Sequence, residues 1–332
     1  MTGRVATRAK ARSRGSRQLA RRARSSTGLR SATNHAGRHH PRSSHRSSFL
    51  GRQHRRTIES LLLGSARPDN LAATVNDVLI LCYHAVSDRW PASLSVTPER
   101  LESQLAYLVR SGYRGVTFTR AVVDPPGGRV LAVTFDDGFR SVVRLAQPVM
   151  ERLGVPGTVF VATSHVGTER PMAWQGLEQW VGTEHEQELV AATWPELNGL
   201  RHAGWEIGAH TRTHPHLTQI DEASIYEELA GSRRDVEENI GPCTSLAYPY
   251  GDHDGRVVAA AAKAGFRAAA TLPTYGYRPE ALRRARVYVA HRDDARRFRL
   301  KVSRPLRVGR VAAGMVAAGA SAGSQRFFSR GV

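Results

Sequence analysis

Cysteine is scarce in this chain of 332 residues. Cys82 and Cys243 stand far apart and form no CxxC pair, which argues against a disulfide framework or a cysteine zinc site. Long apolar runs are missing as well. No stretch approaches an uninterrupted transmembrane span, and the best candidate for a signal core, Ile58-Glu59-Ser60-Leu61-Leu62-Leu63, is too short and interrupted. Arg21-Arg22 is a twin arginine without the hydrophobic region that should follow. No cleavable signal peptide is evident, so a cytoplasmic location is the default expectation.

Acid is absent from residues 1–57, which hold sixteen of the 48 Lys and Arg residues; the other 32 bases face 29 acids. The formal charge of +19 therefore belongs to one segment. That segment is rich in Arg, Ser, Gly and His and cannot bury enough surface to offset the entropy of ordering. It reads as a disordered basic arm. Two readings stay open: contact with a polyanion such as nucleic acid, anionic lipid or an acidic glycan, or a solvated tail that includes a start codon set too far upstream.

What is present is a hydrophobic content of 41%, enough for a sizeable core. From about Asp77 to Asp294 apolar runs alternate with longer helical stretches, the pattern of repeated βα units and a mostly parallel sheet. The runs are Val78–Tyr83, Val130–Thr134, Thr158–Ala162, Glu206–His210, Ser245–Tyr248, Phe266–Thr271 and Val287–Ala290. Helices are expected at Pro98–Ser111, Phe139–Leu153, Trp194–Ala203, Ala223–Ile240 and Gly255–Ala264. The fold class is α/β, a (β/α) barrel with about seven parallel strands. Residues 58–76 read as a linker, 77–294 as the catalytic domain and 295–332 as a basic Ala/Gly-rich tail. Gly167–Ala192, with Trp174 and Trp180, breaks the alternation and reads as an insertion that shapes a substrate site. No nucleic-acid motif occurs in residues 77–294.

Thr134-Phe135-Asp136-Asp137-Gly138 places two carboxylates at the end of the buried run Val130-Leu131-Ala132-Val133. Two neighbouring buried charges are costly unless a cation or proton offsets them. A helix N-cap before Phe139 would explain one Asp, not both. His210-Thr211-Arg212-Thr213-His214 follows the run Glu206-Ile207-Gly208-Ala209. Histidines four apart can share one side of a helical turn and, with a carboxylate, form a three-ligand site that leaves positions open. Asp137 is the carboxylate of choice. An HxxxH pair is weak by itself, but both pairs follow strands of one barrel and so emerge on its C-terminal face, where barrel sites are built. His216, two residues on, is read as structural. Tyr248-Pro249-Tyr250-Gly251 forms a turn whose backbone N–H groups could bind an oxyanion, or simply an aromatic turn.

In order and approximate spacing, these three motifs make the chain resemble the polysaccharide deacetylases of carbohydrate esterase family 4 over roughly residues 77–294. The resemblance implies a distorted (β/α) barrel and a divalent metal, commonly zinc, held by Asp137, His210 and His214. It implies Asp136 as the general base that activates a metal-bound water, attack on an N-acetyl carbonyl, and an oxyanion held by the metal and the Tyr250 backbone N–H. The expected substrate is an N-acetylated, amino-sugar-containing poly- or oligosaccharide. The late His that many members use as general acid has no convincing counterpart, since His291 sits in Arg-rich surroundings. Leu79-Ile80-Leu81-Cys82-Tyr83-His84 instead resembles the circularly permuted branch with an N-terminal Tyr-His motif, which makes His84 the expected acid.

One departure is plain. The family's third motif usually opens with an Arg that orients the base, and this chain has Ala247 there. Arg284 is the first replacement to consider. O-deacetylation of a glycan is an alternative, because the same water attack serves esters. A weakly catalytic glycan-binding protein of the same fold is another, with Ala247 as its support.

Overall fold

The computed structural model describes residues 76–272 and 280–308. The arm at 1–57, all but the last residue of the linker, and the end of the tail lie outside the described residues. Eleven strands are described: β1 (Asp77–Tyr83), β2 (Ala85–Val86), β3 (Ser95–Val96), β4 (Arg114–Val116), β5 (Arg129–Phe135), β6 (Gly157–Val161), β7 (Glu206–Ala209), β8 (Ser245–Ala247), β9 (Ala268–Thr271), β10 (Arg284–Ala285) and β11 (Val287–Tyr288). The helices are α1 (Pro98–Arg110), α2 (Phe118–Val123), α3 (Gln147–Arg152), α4 (Trp194–His202), α5 (Glu222–Asn239), α6 (Gly255–Lys263) and α7 (Ala295–Val302).

All pairings within the main sheet are parallel, and its path runs β10-β9-β8-β7-β6-β5-β1-β11. The two ends of that path are consecutive in the chain. Arg284 and Ala285 pair with Ala270 and Thr271, whereas Val287 and Tyr288 pair with Leu81 and Cys82. One short segment thus bridges β9 and β1 and brings the sheet round to a nearly closed barrel, so the eight strands of the path fill seven positions. β1 and β5 pair along their full lengths, Asp77 opposite Arg129 to Tyr83 opposite Phe135. Both are almost continuously apolar because a barrel strand is covered on both faces.

Inside the barrel Ile80, Phe118, Val130, Ala132, Phe160, Ala247, Ala268 and Ala270 pack together, and the larger outer cluster joins the strands to the helices. Along β5 the inward positions are Val130, Ala132 and Thr134, so alternation aims Asp136 at the barrel axis as well. Ala132, Ala247, Ala268 and Ala270 leave room in the interior for the Phe118 and Phe160 rings. Even Gly208 is required, because a Cβ there would come within 2.6 Å of the Phe160 ring. Burying Phe160 fully contributes about 1.5–3 kcal/mol.

The helices start where capping chemistry predicts. Thr97 accepts the Arg100 N–H ahead of Pro98, and Asp221 accepts the Ser224 N–H. The helix expected over Phe139–Leu153 is not uniform: Val142–Ala146 forms a π-type turn before α3. The Gln147 N–H reaches back to the Val142 carbonyl, and Pro148 beside it has no N–H to give. Sequence patterning misses β4 and α2, since three residues around Gly115 are too short to show a period. Gly115 is there because a Cβ would meet Val155 at 2.9 Å.

The packed body continues beyond the boundary expected at residue 294. Asp294 caps α7, Phe298 and Val302 are buried, and Arg307 pairs with Asp77 at 2.6 Å. Among the described residues no helix is long and apolar enough to cross a membrane.

Candidate active site

Among the described residues four that are not glycine have positive φ: Asp137 at 71°, Thr211 at 65°, His214 at 61° and Tyr250 at 58°. Left-handed backbone is disfavoured for such residues and persists where the surroundings enforce it. All four belong to the three motifs at the C-terminal ends of β5, β7 and β8. Backbone strain is concentrated at one place.

After β5 the Asp136 N–H still bonds the Tyr83 carbonyl at 3.0 Å, then Asp137 and Gly138 turn the chain sharply. The His210–His214 segment is an irregular turn, not the helical turn expected from the spacing. Thr211 takes positive φ, and its Oγ1 accepts the His214 N–H at 3.0 Å. From α5, Glu228 accepts the N–H groups of Arg212 and Thr213 at 2.7 and 3.0 Å and the Thr213 hydroxyl at 2.7 Å. That carboxylate satisfies a turn that has no ladder of its own.

The result brings the two imidazoles to one carboxylate. His210 Nε2 lies 3.4 Å and His214 Nε2 3.3 Å from Asp137 Oδ1, all three side chains buried. The His210 Nδ1 faces the Ala247 carbonyl at 2.7 Å, which fixes the tautomer with the proton on Nδ1 and leaves the Nε2 lone pair turned to Asp137. Asp137 Oδ1 is a buried acceptor with no well-formed hydrogen bond, because the imidazoles approach it without donor geometry. One atom from each residue lies within 4.8 Å of the others. A carboxylate and two imidazoles in that arrangement fit a divalent ion of the zinc type.

Charges within the site are strongly biased. Burial by itself would raise the Asp137 carboxyl, but His210, His214 and His84 outweigh it and hold Asp137 well below the carboxylate range. Burial would likewise lower His210, yet Asp137 and Asp136 carry it upward. For His214 burial wins over the attraction of Asp137, and the imidazole is pushed down. His214 Nδ1 has no polar partner. Its ring is instead held between Trp174, stacked at 4.1 Å, and the edge-on ring of Tyr250 at 4.7 Å. Trp174 comes from the 167–192 insertion, so that segment does reach the site.

Asp136 occupies the barrel axis beside this triad. Arg286 grips both its oxygens, Nη1 to Oδ1 at 2.6 Å and Nη2 to Oδ2 at 2.7 Å, and Cys82 Sγ donates to Oδ2 at 3.4 Å. Arg286 also donates to Thr134 Oγ1 at 2.9 Å. Burial works against the Asp136 charge, but the guanidinium overrides it and brings the pKa down to about 2. The orienting arginine is therefore Arg286; the expectation of Arg284 is corrected. Both share one face of the segment, but Arg284 lies two residues deeper, about 7 Å further from the carboxylate. Ala247, facing inward, leaves the space through which Arg286 reaches across.

His84 follows β1 at the same rim. It is half-buried, its Nδ1 is enclosed without a partner, and it groups with Cys82 and Asp136 within 4.8 Å. His291 is placed elsewhere, its N–H on the Ser93 carbonyl at 2.8 Å and its ring near the Ser95 carbonyl. His216 bonds Asp252 at 2.6 Å and Gln175 at 3.0 Å and stacks on Tyr250 at 3.8 Å, apart from the ligand triad. The sequence alone assigns no role to Cys82 or Glu228; the β1–β5 register brings Cys82 to Asp136, and the packing of α5 brings Glu228 to the 212–213 turn.

Residues 124–269 match the family model described as polysaccharide deacetylase. The chain is 24% identical over 212 residues to the poly-beta-1,6-N-acetyl-D-glucosamine N-deacetylase of Staphylococcus aureus (strain MRSA252), an alignment covering 55% of this chain and 68% of that protein. It is 24% identical over 198 residues to YxkH of Bacillus subtilis (strain 168), named as a candidate polysaccharide deacetylase; that match covers 58% of this chain and spans 63% of the length of YxkH. Among solved structures, a polysaccharide deacetylase from Bacillus cereus superposes with a TM-score of 0.56 at 26% identity, covering 68% of this chain and 69% of that one. IcaB from Ammonifex degensii gives 0.55 at 26% identity, with 69% and 97% covered.

Proposed function

Because residues 124–269 belong to the polysaccharide deacetylase family, we propose that this protein is a metal-dependent hydrolase that removes N-acetyl groups from an amino-sugar-containing poly- or oligosaccharide. The observation that carries the reading is the buried triad of Asp137, His210 and His214, built on strained backbone, beside a second carboxylate that an arginine keeps ionised. A divalent ion held by that triad, zinc by the donor set, would polarise the acetyl carbonyl and acidify water, which a base as weak as Asp136 requires.

The remaining work falls to the chain itself. Arg286 holds Asp136 ionised and fixes its plane, and the carboxylate retains lone pairs to accept the proton of the attacking water. Water adds to the acetyl carbon, and the oxyanion that forms meets the Tyr250 backbone N–H, presented by the turn at φ 58°. His84 delivers a proton to the departing nitrogen as the C–N bond breaks, giving acetate and the free amine. Trp174 covers one flank of His214, excludes water from it, and offers an apolar wall beside the substrate. The Arg286–Asp136 pair also counts against the alternative of a weakly catalytic glycan-binding protein, which rested on Ala247 standing in place of the motif arginine.

The test is acetate release from β-1,6-linked and β-1,4-linked N-acetylglucosamine oligomers, compared with acetylated xylan. Release from the amino-sugar oligomers is expected. Release from the xylan alone would replace this reading with an O-acetyl esterase.

A further inference from the structure

At the barrel end away from Asp136 an open groove of about 600 Å3 lies between the start of β1, helix α2 and the segment after α7. Its floor is aliphatic, made by Val78, Ala121, Val122, Pro125 and Val308. Arg284, Arg304 and Arg307 stand around it.

The three arginines differ in what they already bind. Arg307 is engaged, its Nη2 donating to Asp77 Oδ1 at 2.6 Å and to Tyr113 Oη at 3.1 Å and its Nε to the Val302 carbonyl at 3.0 Å. With that pairing the groove's carboxylate, Asp77, is neutralised. Arg304 is exposed and adds positive potential around Asp77. Arg284 is half-buried and its backbone pairs with β9, but among the described residues its guanidinium has neither a hydrogen bond nor an ion pair. Burial is the one influence on its guanidinium and pushes its pKa down. A partly desolvated cation with no counter-charge is unfavourable, and a guanidinium is well shaped to meet a phosphate through parallel N–H bonds.

The surroundings say what kind of anion. Of the five large hydrophobic residues exposed among the described residues, Val308 lines the groove, and Val123 and Leu306 lie beside it on α2 and on the segment after α7 without lining it. Exposed aliphatics beside arginines suit a lipid interface, whereas a nucleic-acid strand would call for aromatic stacking partners. The sequence adds to this on both sides. Residues 1–57 carry sixteen Lys and Arg and residues 309–332 three Arg, with no acid in either.

We propose that this groove binds the phosphate of an anionic lipid headgroup, with Arg284 and Arg304 on the phosphate and the aliphatic floor against the glycerol and first methylenes. So docked, the end of the barrel that carries Asp136 and His84 faces away from the bilayer. The seven residues of β1 separate the two ends by about 20 Å.

Isothermal titration of the full chain with monomeric dihexanoylphosphatidylglycerol, dihexanoylphosphatidylcholine and inorganic phosphate tests the proposal, using wild type, Arg284→Gln and Arg304→Gln. The basic arm is common to all three proteins, so differences among them report the groove. The glycerol lipid is expected to bind wild type, and Arg284→Gln to weaken it about tenfold, as for the loss of one charge-assisted pair. Phosphate and the choline lipid are expected to bind at least about tenfold more weakly than the glycerol lipid. Acetate release from a soluble oligosaccharide should be the same in all three proteins, which also shows that the variants fold. Unchanged lipid affinity in both variants would overturn the proposal. Phosphate binding as tight as the lipid's would reduce the groove to a free-anion site and overturn the lipid assignment.

Discussion

Arg286 and Asp136 form a two-point, fully buried pair, with contacts of 2.6 and 2.7 Å across the barrel axis. The arginine lies between β10 and β11, where the barrel closes, so closure of the sheet and ionisation of the base depend on the same residue. Arg286→Ala removes the largest influence opposing burial and leaves only His210 and His84 against it, so the Asp136 pKa rises from about 2 and the acid limb of kcat/KM moves to higher pH. The same change costs about 3–5 kcal/mol of stability, the usual loss for breaking a buried pair. Arg284→Ala should leave the profile in place. A pH–rate series on the two variants separates them, and a shift in Arg284→Ala with none in Arg286→Ala would reverse the assignment.

His84 is assigned a proton for the leaving nitrogen. His84→Ala should lower kcat/KM on an N-acetyl oligosaccharide by about 10²–10⁴-fold. On 4-nitrophenyl acetate, whose phenolate leaves without an acid, the loss should be far smaller. Equal losses on both substrates would make His84 a structural residue of the rim.

Trp174 takes the place of a hydrogen-bonding partner for His214, whose Nδ1 has none. Trp174→Ala frees the imidazole to rotate and should weaken zinc affinity by about 10–100-fold, the range seen when outer partners of metal ligands are lost. Trp174→Phe should keep most of it. Competition with a chromophoric chelator measures this without reference to turnover.

Stability should fall at both extremes of pH through Asp77 and Tyr113. Burial would raise Asp77, but Tyr113 and Arg307 hold it below the ordinary carboxyl value of 3.8, so its contribution is present above that value and is lost as pH falls through the lower folded pKa. Tyr113 runs the other way. Burial and the bond to Asp77 raise its hydroxyl to about 12, so its contribution is complete below pH 10 and is lost as pH rises towards about 12. Thermal melts of Tyr113→Phe and wild type should therefore converge above about pH 12, and a difference that persists there would contradict the assignment.

Much of this was legible in the sequence because the motifs are local. Thr134–Gly138, His210–His214 and Tyr248–Gly251 each sit at the end of one strand, and apolar runs mark those strands. The part that was not legible depends on pairing between distant segments. Whether Arg284 or Arg286 meets Asp136 is set by Val287 lying opposite Leu81, and nothing in the run Leu282–Val287 encodes that level. The helical-turn reading of the histidines failed for a similar reason. Glu228, on a separate helix, satisfies the backbone of a turn that spacing alone would draw as a helix.

The central claim is that a metal triad and a separate base act together, and a zinc titration of chelator-stripped protein tests it directly. Acetate release from an N-acetylglucosamine oligomer should return with added zinc and level off at about one ion per chain. Asp136→Asn should bind the same zinc yet release acetate about 10²–10⁴-fold more slowly. Undiminished release from the stripped protein, or full release by Asp136→Asn, would contradict the account.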